Sequence, residues 1–187
     1  MQLIEFFYNT GLYHRLQPRK WSMTTVAPTN YRNDLTLDEK VLMAIVRAAE
    51  NFKRTHSAVF KPFGLSFPQY NILRVLESSD KGQNKISVVG KIMLVPNANM
   101  TGLAKRLEQN GFITRQPDPD DERVTLLTIT EKGRLTLRQI TAEKDAAITA
   151  ILKDFDSADK TGLLEKIKQI ITATSQINQR PDKHQTT

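Results

Sequence analysis

The sequence predicts a mainly α-helical fold carrying one small β-hairpin, an α+β arrangement. Three observations predict it. Beyond residue 36, apolar residues recur close to the 3.6-residue helical period over most of the chain. Aromatic residues make up only 7%, so the core must be built from Leu, Ile, Val and Ala, which suits helices. Two β-prone runs, FITRQ and VTLLTIT, flank a single acidic, turn-rich stretch, PDPDDER.

Residues 1–35 lie outside this pattern and form an N-terminal extension. The first 22 mix aromatics, bases and proline without period, and Met23 opens a more ordinary polar start. Two readings stand: translation begins at Met23, or the segment is a short helix that docks on the body. A long helix is expected over 37–60, with Val41, Ile45, Ala48, Ala49, Phe52 and Val59 on its apolar face. Asp38 and Glu39 favour its start and Gly64 ends the segment. Ser66-Phe67-Pro68-Gln69 has the form of a capping box opening a second helix. The run SSDKGQNK reads as a polar loop. A short helix over 87–94 and another over 97–110 follow, with Pro96 between them and Asn110-Gly111 as a left-handed stop. The hairpin comes next. Thr130 then caps a helix over 131–155, and Asp156 or Ser157 starts a last helix. That helix carries a narrow stripe of Leu163, Leu164, Ile167, Ile170, Ile171, Thr174 and Ile177, which suits either a helix–helix interface or an intrachain core. The tail, 179–187, is polar and expected to be disordered.

Composition limits the functions available. The net charge is +7 and the isoelectric point about 9.7, which favours polyanionic partners, nucleic acid or an anionic surface. With no cysteine, disulfides, thiolate zinc sites and thiol catalysis are excluded. His14, His56 and His184 form no ligand-spaced cluster, so no metal or cofactor is expected. No apolar run approaches the roughly 20 residues that span a bilayer, and nothing resembles a signal peptide, so no membrane role and a cytoplasmic location are expected. Phosphate loops and nucleophile elbows are absent. Asp120, Asp121 and Glu122 are adjacent carboxylates, but a flexible tip fixes no catalytic geometry. No enzyme is expected.

Two short helices joined by a tight turn and followed by a hairpin make a winged helix-turn-helix, here about 65–134. The second helix must be slim and polar on one side to enter a major groove about 12 Å wide. On a helical wheel Met100, Leu103, Ala104 and Leu107 share the inner face. Ala98, Thr101, Gly102 and Lys105 face outward, flanked by Asn99 and Arg106. Asn97 either caps this helix or contacts the nucleic-acid backbone. Any exposed helix carries such side chains, so this face alone does not separate groove reading from simple solvation. Gly102 adds weight, because an exposed mid-helix glycine costs about 1 kcal/mol and close approach of a partner is one explanation for it. At the wing tip four acids surround Arg123, which either enters a narrow A·T minor groove or is merely solvated. Asp121 would orient or neutralise a neighbour such as Arg115. Residues 87–115 carry a net of only +3, so firm binding would need two copies of the module.

The segment TGLAKRLEQNGFITR, residues 101–115, together with DPDDER and LTITEKG, resembles the MarR family of bacterial regulators. The helix order over 36–178 is similar as well. Many members carry two consecutive arginines at the tip; here the first position is Glu122. The resemblance implies a homodimer whose helices at 37–60 and 131–178 interdigitate, binding a pseudo-palindromic operator in double-stranded DNA through two winged helices. It implies DNA-binding roles for Asn97, Asn99, Thr101, Gly102, Lys105, Arg106, Arg115 and Arg123, and a repressor released by a small aromatic or phenolic effector. His56 and Tyr70 are candidate effector contacts, with core packing the alternative for both. The remaining alternative for the whole chain is a winged-helix protein–protein interaction module that does not bind DNA.

Overall fold

A computed structural model describes residues 34–119 and 121–178. The expectations for residues 1–33, for Asp120 and for the tail at 179–187 lie outside these. The described residues divide into two compact units, one ending at Ala44 and the other beginning at Ile45.

In the first unit, Thr36 and Glu39 make a reciprocal cap. The Thr36 N–H donates to Glu39 Oε2 at 2.8 Å, and the Glu39 N–H to Thr36 Oγ1 at 3.3 Å. This T-x-x-E box satisfies donors that a helix start leaves open, and α1 runs from it over Leu37–Phe60. Within 37–44, Leu37, Val41, Leu42 and Met43 are exposed.

In the second unit, α1 continues from Ile45, turns tightly at Lys61–Phe63 and stops at Gly64, whose φ of 74° is left-handed. Helix α2 spans Phe67–Glu77. Its capping box is present: the Ser66 N–H and Oγ both donate to Gln69 Oε1 at 2.9 Å. A short turn at Asp80–Gly82 leads to β1, Gln83–Lys85, then α3, Ile86–Met93, and α4, Asn97–Gln109. Strands β2, Ile113–Asp118, and β3, Asp121–Ile129, form the hairpin. Helices α5, Glu131–Ile151, and α6, Ser157–Asn178, complete the chain.

Two expectations need correction. The stretch read as a loop contains β1, so the sheet has three antiparallel strands in the order β1-β3-β2. Gln83, Asn84 and Lys85 pair with Thr128, Leu127 and Leu126. Three polar residues show no alternation, and only the open edge of β3 makes them a strand. Helix α5 also ends at Ile151 rather than Phe155. Asp156 and Asp159 cap α6 reciprocally, at 2.8 and 3.2 Å, and the chain must leave α5 before that cap.

Helix α2 is the hub, packing on α3, α4, α5 and the sheet. Ile72, Leu73 and Leu76 meet Val89, Met100, Ala104 and Leu107 in a core closed by Phe60, Ile113, Leu127 and Ile140. Each such large apolar side chain contributes about 1.5–3 kcal/mol on burial. The end of α4 is tied to the start of α5. Gly111, at φ 73°, turns the chain, and the Phe112 carbonyl accepts from the Thr130 N–H at 3.0 Å. The Thr130 hydroxyl caps α5 by accepting from Gly133 N–H at 3.1 Å and lies within hydrogen-bond distance of the Gly111 and Phe112 carbonyls. Lys132 Nζ donates to the Asn110 carbonyl at 2.7 Å. By contrast, α6 buries none of its residues: Leu163, Leu164, Ile171 and Ile177 all stand open to solvent.

Candidate nucleic-acid interface

The turn between α3 and α4 is tight because Gly90 has no side chain. A Cβ there would lie 3.1 Å from Met100 Cγ and 3.2 Å from the Val95 carbonyl. Leu94, at φ 53°, reverses the chain, and the Val95 N–H closes on the Gly90 carbonyl at 3.0 Å. Pro96 then occupies the N-cap of α4 with no side-chain cap. Asn97 is therefore the first helical residue, which removes its capping role.

Helix α4 buries Met100, Ala104 and Leu107 against α2 and α3. That anchors its opposite face outward, and Asn97, Asn99, Thr101, Gly102, Lys105 and Arg106 are all exposed on it. A Cβ built on Gly102 meets nothing within 4 Å, so no internal packing demands a glycine there. Thr101 Oγ1 donates to the Asn97 carbonyl at 3.3 Å and keeps its lone pairs outward. The acid of this helix, Glu108, is held by Arg115 Nε from β2 at 2.8 Å. The outer face thus offers Lys105 and Arg106 without a competing free carboxylate, and Lys91 of α3 is exposed as well.

The pairing of Arg115 corrects one expectation. Its carboxylate is Glu108, because their elements pack together, whereas Asp121 takes Arg123. Arg123 Nε and Nη2 donate to Asp121 Oδ1 and Oδ2 at 2.9 and 3.2 Å, and the Arg123 N–H adds a third bond at 3.1 Å. Hydrogen bonding from Arg123 holds the Asp121 carboxyl below the usual carboxylate range, and the same pairing raises the Arg123 pKa. Arg123 remains 90% exposed. The ladder register jumps between Pro117↔Thr125 and Asp118↔Asp121, which leaves Glu122, Arg123 and Val124 without partners in β2. Glu122 is exposed at this blister. The wing is braced at its base by an ion pair between Lys85 of β1 and buried Asp118, 2.7 Å. No pattern in the sequence announced that brace.

His56 and Tyr70 sit in the core. His56 is 2% exposed, its Nδ1 lies 3.0 Å from the Phe52 carbonyl, and its ring is packed among Phe52, Phe60 and Phe67. Tyr70 stacks on Phe60 with centroids 4.0 Å apart. A cleft of about 740 Å³ lies alongside, lined by Lys53, Phe67, Asn71, Arg74, Met93 and Leu94 among others. Neither His56 nor Tyr70 lines it; Phe67 separates His56 from it by one ring.

The sequence model of the MarR family matches residues 65–125, which span α2 through the wing. The MarR-family transcriptional regulator Sco5413 of Streptomyces coelicolor superposes with a TM-score of 0.67 at 27% identity, over 74% of this chain and 96% of that one. The chain is similar to the MarR family over this segment and in its fold. The HTH-type transcriptional regulator TtmR of Methylorubrum extorquens strain PA1 is 31% identical over 117 residues, 63% of this chain. The present chain spans 57% of the length of that relative. A further S. coelicolor member of the family, Sco3205, whose structure is of a complex with DNA, matches in fold with a TM-score of 0.67 at 20% identity, over 77% of this chain and 91% of that one. These relatives are transcriptional regulators. Among the described residues no helix is long and apolar enough to cross a membrane.

Proposed function

We propose that this chain is a dimeric, sequence-specific DNA-binding repressor, released by a small aromatic or phenolic effector. The observation that carries the reading is the outer face of α4, small, polar, and free of unpaired acids around Gly102. Asn97, Asn99, Thr101, Lys105 and Arg106 would meet base edges and phosphates of the major groove, with Asn suited to adenine and Lys to guanine. Arg115 braces β2 against α4, and Arg123 is the cation of the wing. Binding of Sco3205 to DNA through the same fold supports the reading. The uncovered apolar residues of α6 support a dimer, since four large exposed side chains on one helix call for a partner surface. The cleft beside Arg74 and Lys53 suits an aromatic anion or phenol, with His56 behind the ring of Phe67. Such a repressor works where the chromosome lies, in the cytoplasm.

Charge sets the expected behaviour. Lys91, Lys105 and Arg106 give about six phosphate contacts per dimer, so log K should fall against log salt with a slope near −5. Half-sites should lie about one helical turn, roughly 10 bp, apart. The test is selection of duplexes from a random pool, followed by anisotropy titration across salt and light scattering of the free chain. A pseudo-palindrome bound by a dimer is the expected result. Enrichment of no sequence at moderate salt would refute the reading. Replacing Leu164 and Ile171 together by Glu should leave the monomer folded and abolish both dimer and operator binding.

A further inference from the structure

We propose that Glu122 sets the flank specificity of the operator, turning the wing away from A·T-rich minor grooves. The inference rests on the DNA-binding reading above. Three observations carry it. The arginine of the wing tip is bound two-pronged by Asp121, with a third bond from its own N–H, so its charge is largely shared before any DNA arrives. The preceding residue, Glu122, is an exposed carboxylate that has no ion pair among the described residues. The register jump leaves both Glu122 and Arg123 out of the ladder with β2, and both are exposed, so the acid and the paired arginine share one unpaired stretch of the wing.

The consequence follows from electrostatics. A narrow A·T minor groove has an enhanced negative potential. A free arginine gains most there, and a carboxylate loses most. The present tip offers a neutralised arginine and an unneutralised carboxylate, so its balance toward such a groove is unfavourable. Wider G·C flanks, with weaker potential, repel Glu122 least. Arg123 then reaches the phosphate backbone from its bond with Asp121 and does not enter the groove floor. Sequence information comes from α4, and the wing acts by exclusion.

The experiment uses the full chain and the duplex it selects from a random pool, rebuilt with either A-tract or G·C flanks beyond each half-site. Anisotropy titrations are made at one salt concentration. The wild-type chain should show no preference for A-tract flanks. Glu122→Arg should bind the A-tract duplex about fivefold more tightly than wild type and steepen the salt slope by about two per dimer. Glu122→Gln should move affinity the same way by a smaller factor without adding to the slope. Asp121→Asn, which releases Arg123, should also shift preference toward A-tracts. A severalfold wild-type preference for A-tract flanks would overturn the proposal, as would a Glu122→Arg variant whose flank preference matches wild type. If the wild-type chain selects no sequence, the DNA-binding reading fails first and this inference with it. If it selects one and Glu122→Arg changes nothing, only the inference fails.

Discussion

Replacing Gly102 by alanine separates what α4 needs for folding from what it needs for its partner. The added Cβ meets nothing within 4 Å, so the substitution carries no steric cost inside the chain. Alanine in an exposed helix interior is favoured over glycine by about 1 kcal/mol. In a chain of this size that corresponds to a rise in Tm of about 2–4 °C. The same methyl group would stand on the face that approaches the major groove. There it must push the helix outward or cost it contacts, and each good base contact carries about 1–3 kcal/mol. The expected result is a more stable protein that binds its selected duplex about tenfold more weakly. Calorimetry at fixed protein concentration gives the first number and anisotropy the second. A rise in Tm with unchanged affinity would refute the reasoning, because α4 would then not approach DNA closely at this point. A fall in Tm would refute the packing argument itself.

Two further outcomes test the scaffold. Gly133→Ala should destabilise the fold by about 1–3 kcal/mol or more: its Cβ would lie 2.5 Å from the Phe112 carbonyl and 2.7 Å from Ile129 Cγ1, and chemical denaturation would show a lowered midpoint. Asp121 should titrate below the ordinary carboxylate range in NMR, and return to that range in Arg123→Ala. Because the folded value is the lower one, the pairing contributes fully above the ordinary carboxylate range and is lost as pH falls through the lowered value. The wing fork is therefore intact near neutrality and opens only in acid.

Much of this architecture was legible in the sequence because its signals are local. Ser66 with Gln69, Thr130 with Gly133, and Gly111 at a left-handed stop each act within a few residues. The inner face of α4 followed from period alone, since Met100, Ala104 and Leu107 are spaced for one side of a helix. What was not legible depends on distant partners. Strand β1 exists because β3 leaves an edge open. Arg115 chose Glu108 because β2 packs on α4, a choice that sequence proximity to Asp121 obscured. For His56 the sequence left effector contact and core packing both open, and only the fold brings the rings of Phe52, Phe60 and Phe67 around it. The fork between Asp121 and Arg123 spans only two residues. It was still missed, because a register jump brings them side by side where a regular strand would not require it.

The junction at Thr130 bears on how the halves of the protein communicate. Within four residues the start of α5 is fastened to Asn110, Gly111 and Phe112, the turn that ends α4, by a backbone bond, a hydroxyl, a lysine and a glycine pressed on a carbonyl. A hinge needs slack, and this point has none. A tilt imposed on α5 along its length would thus arrive at α4 as torque rather than dissipate in a loop. The helix that faces outward from the winged domain and the helix that leads away from it form the two arms of one lever.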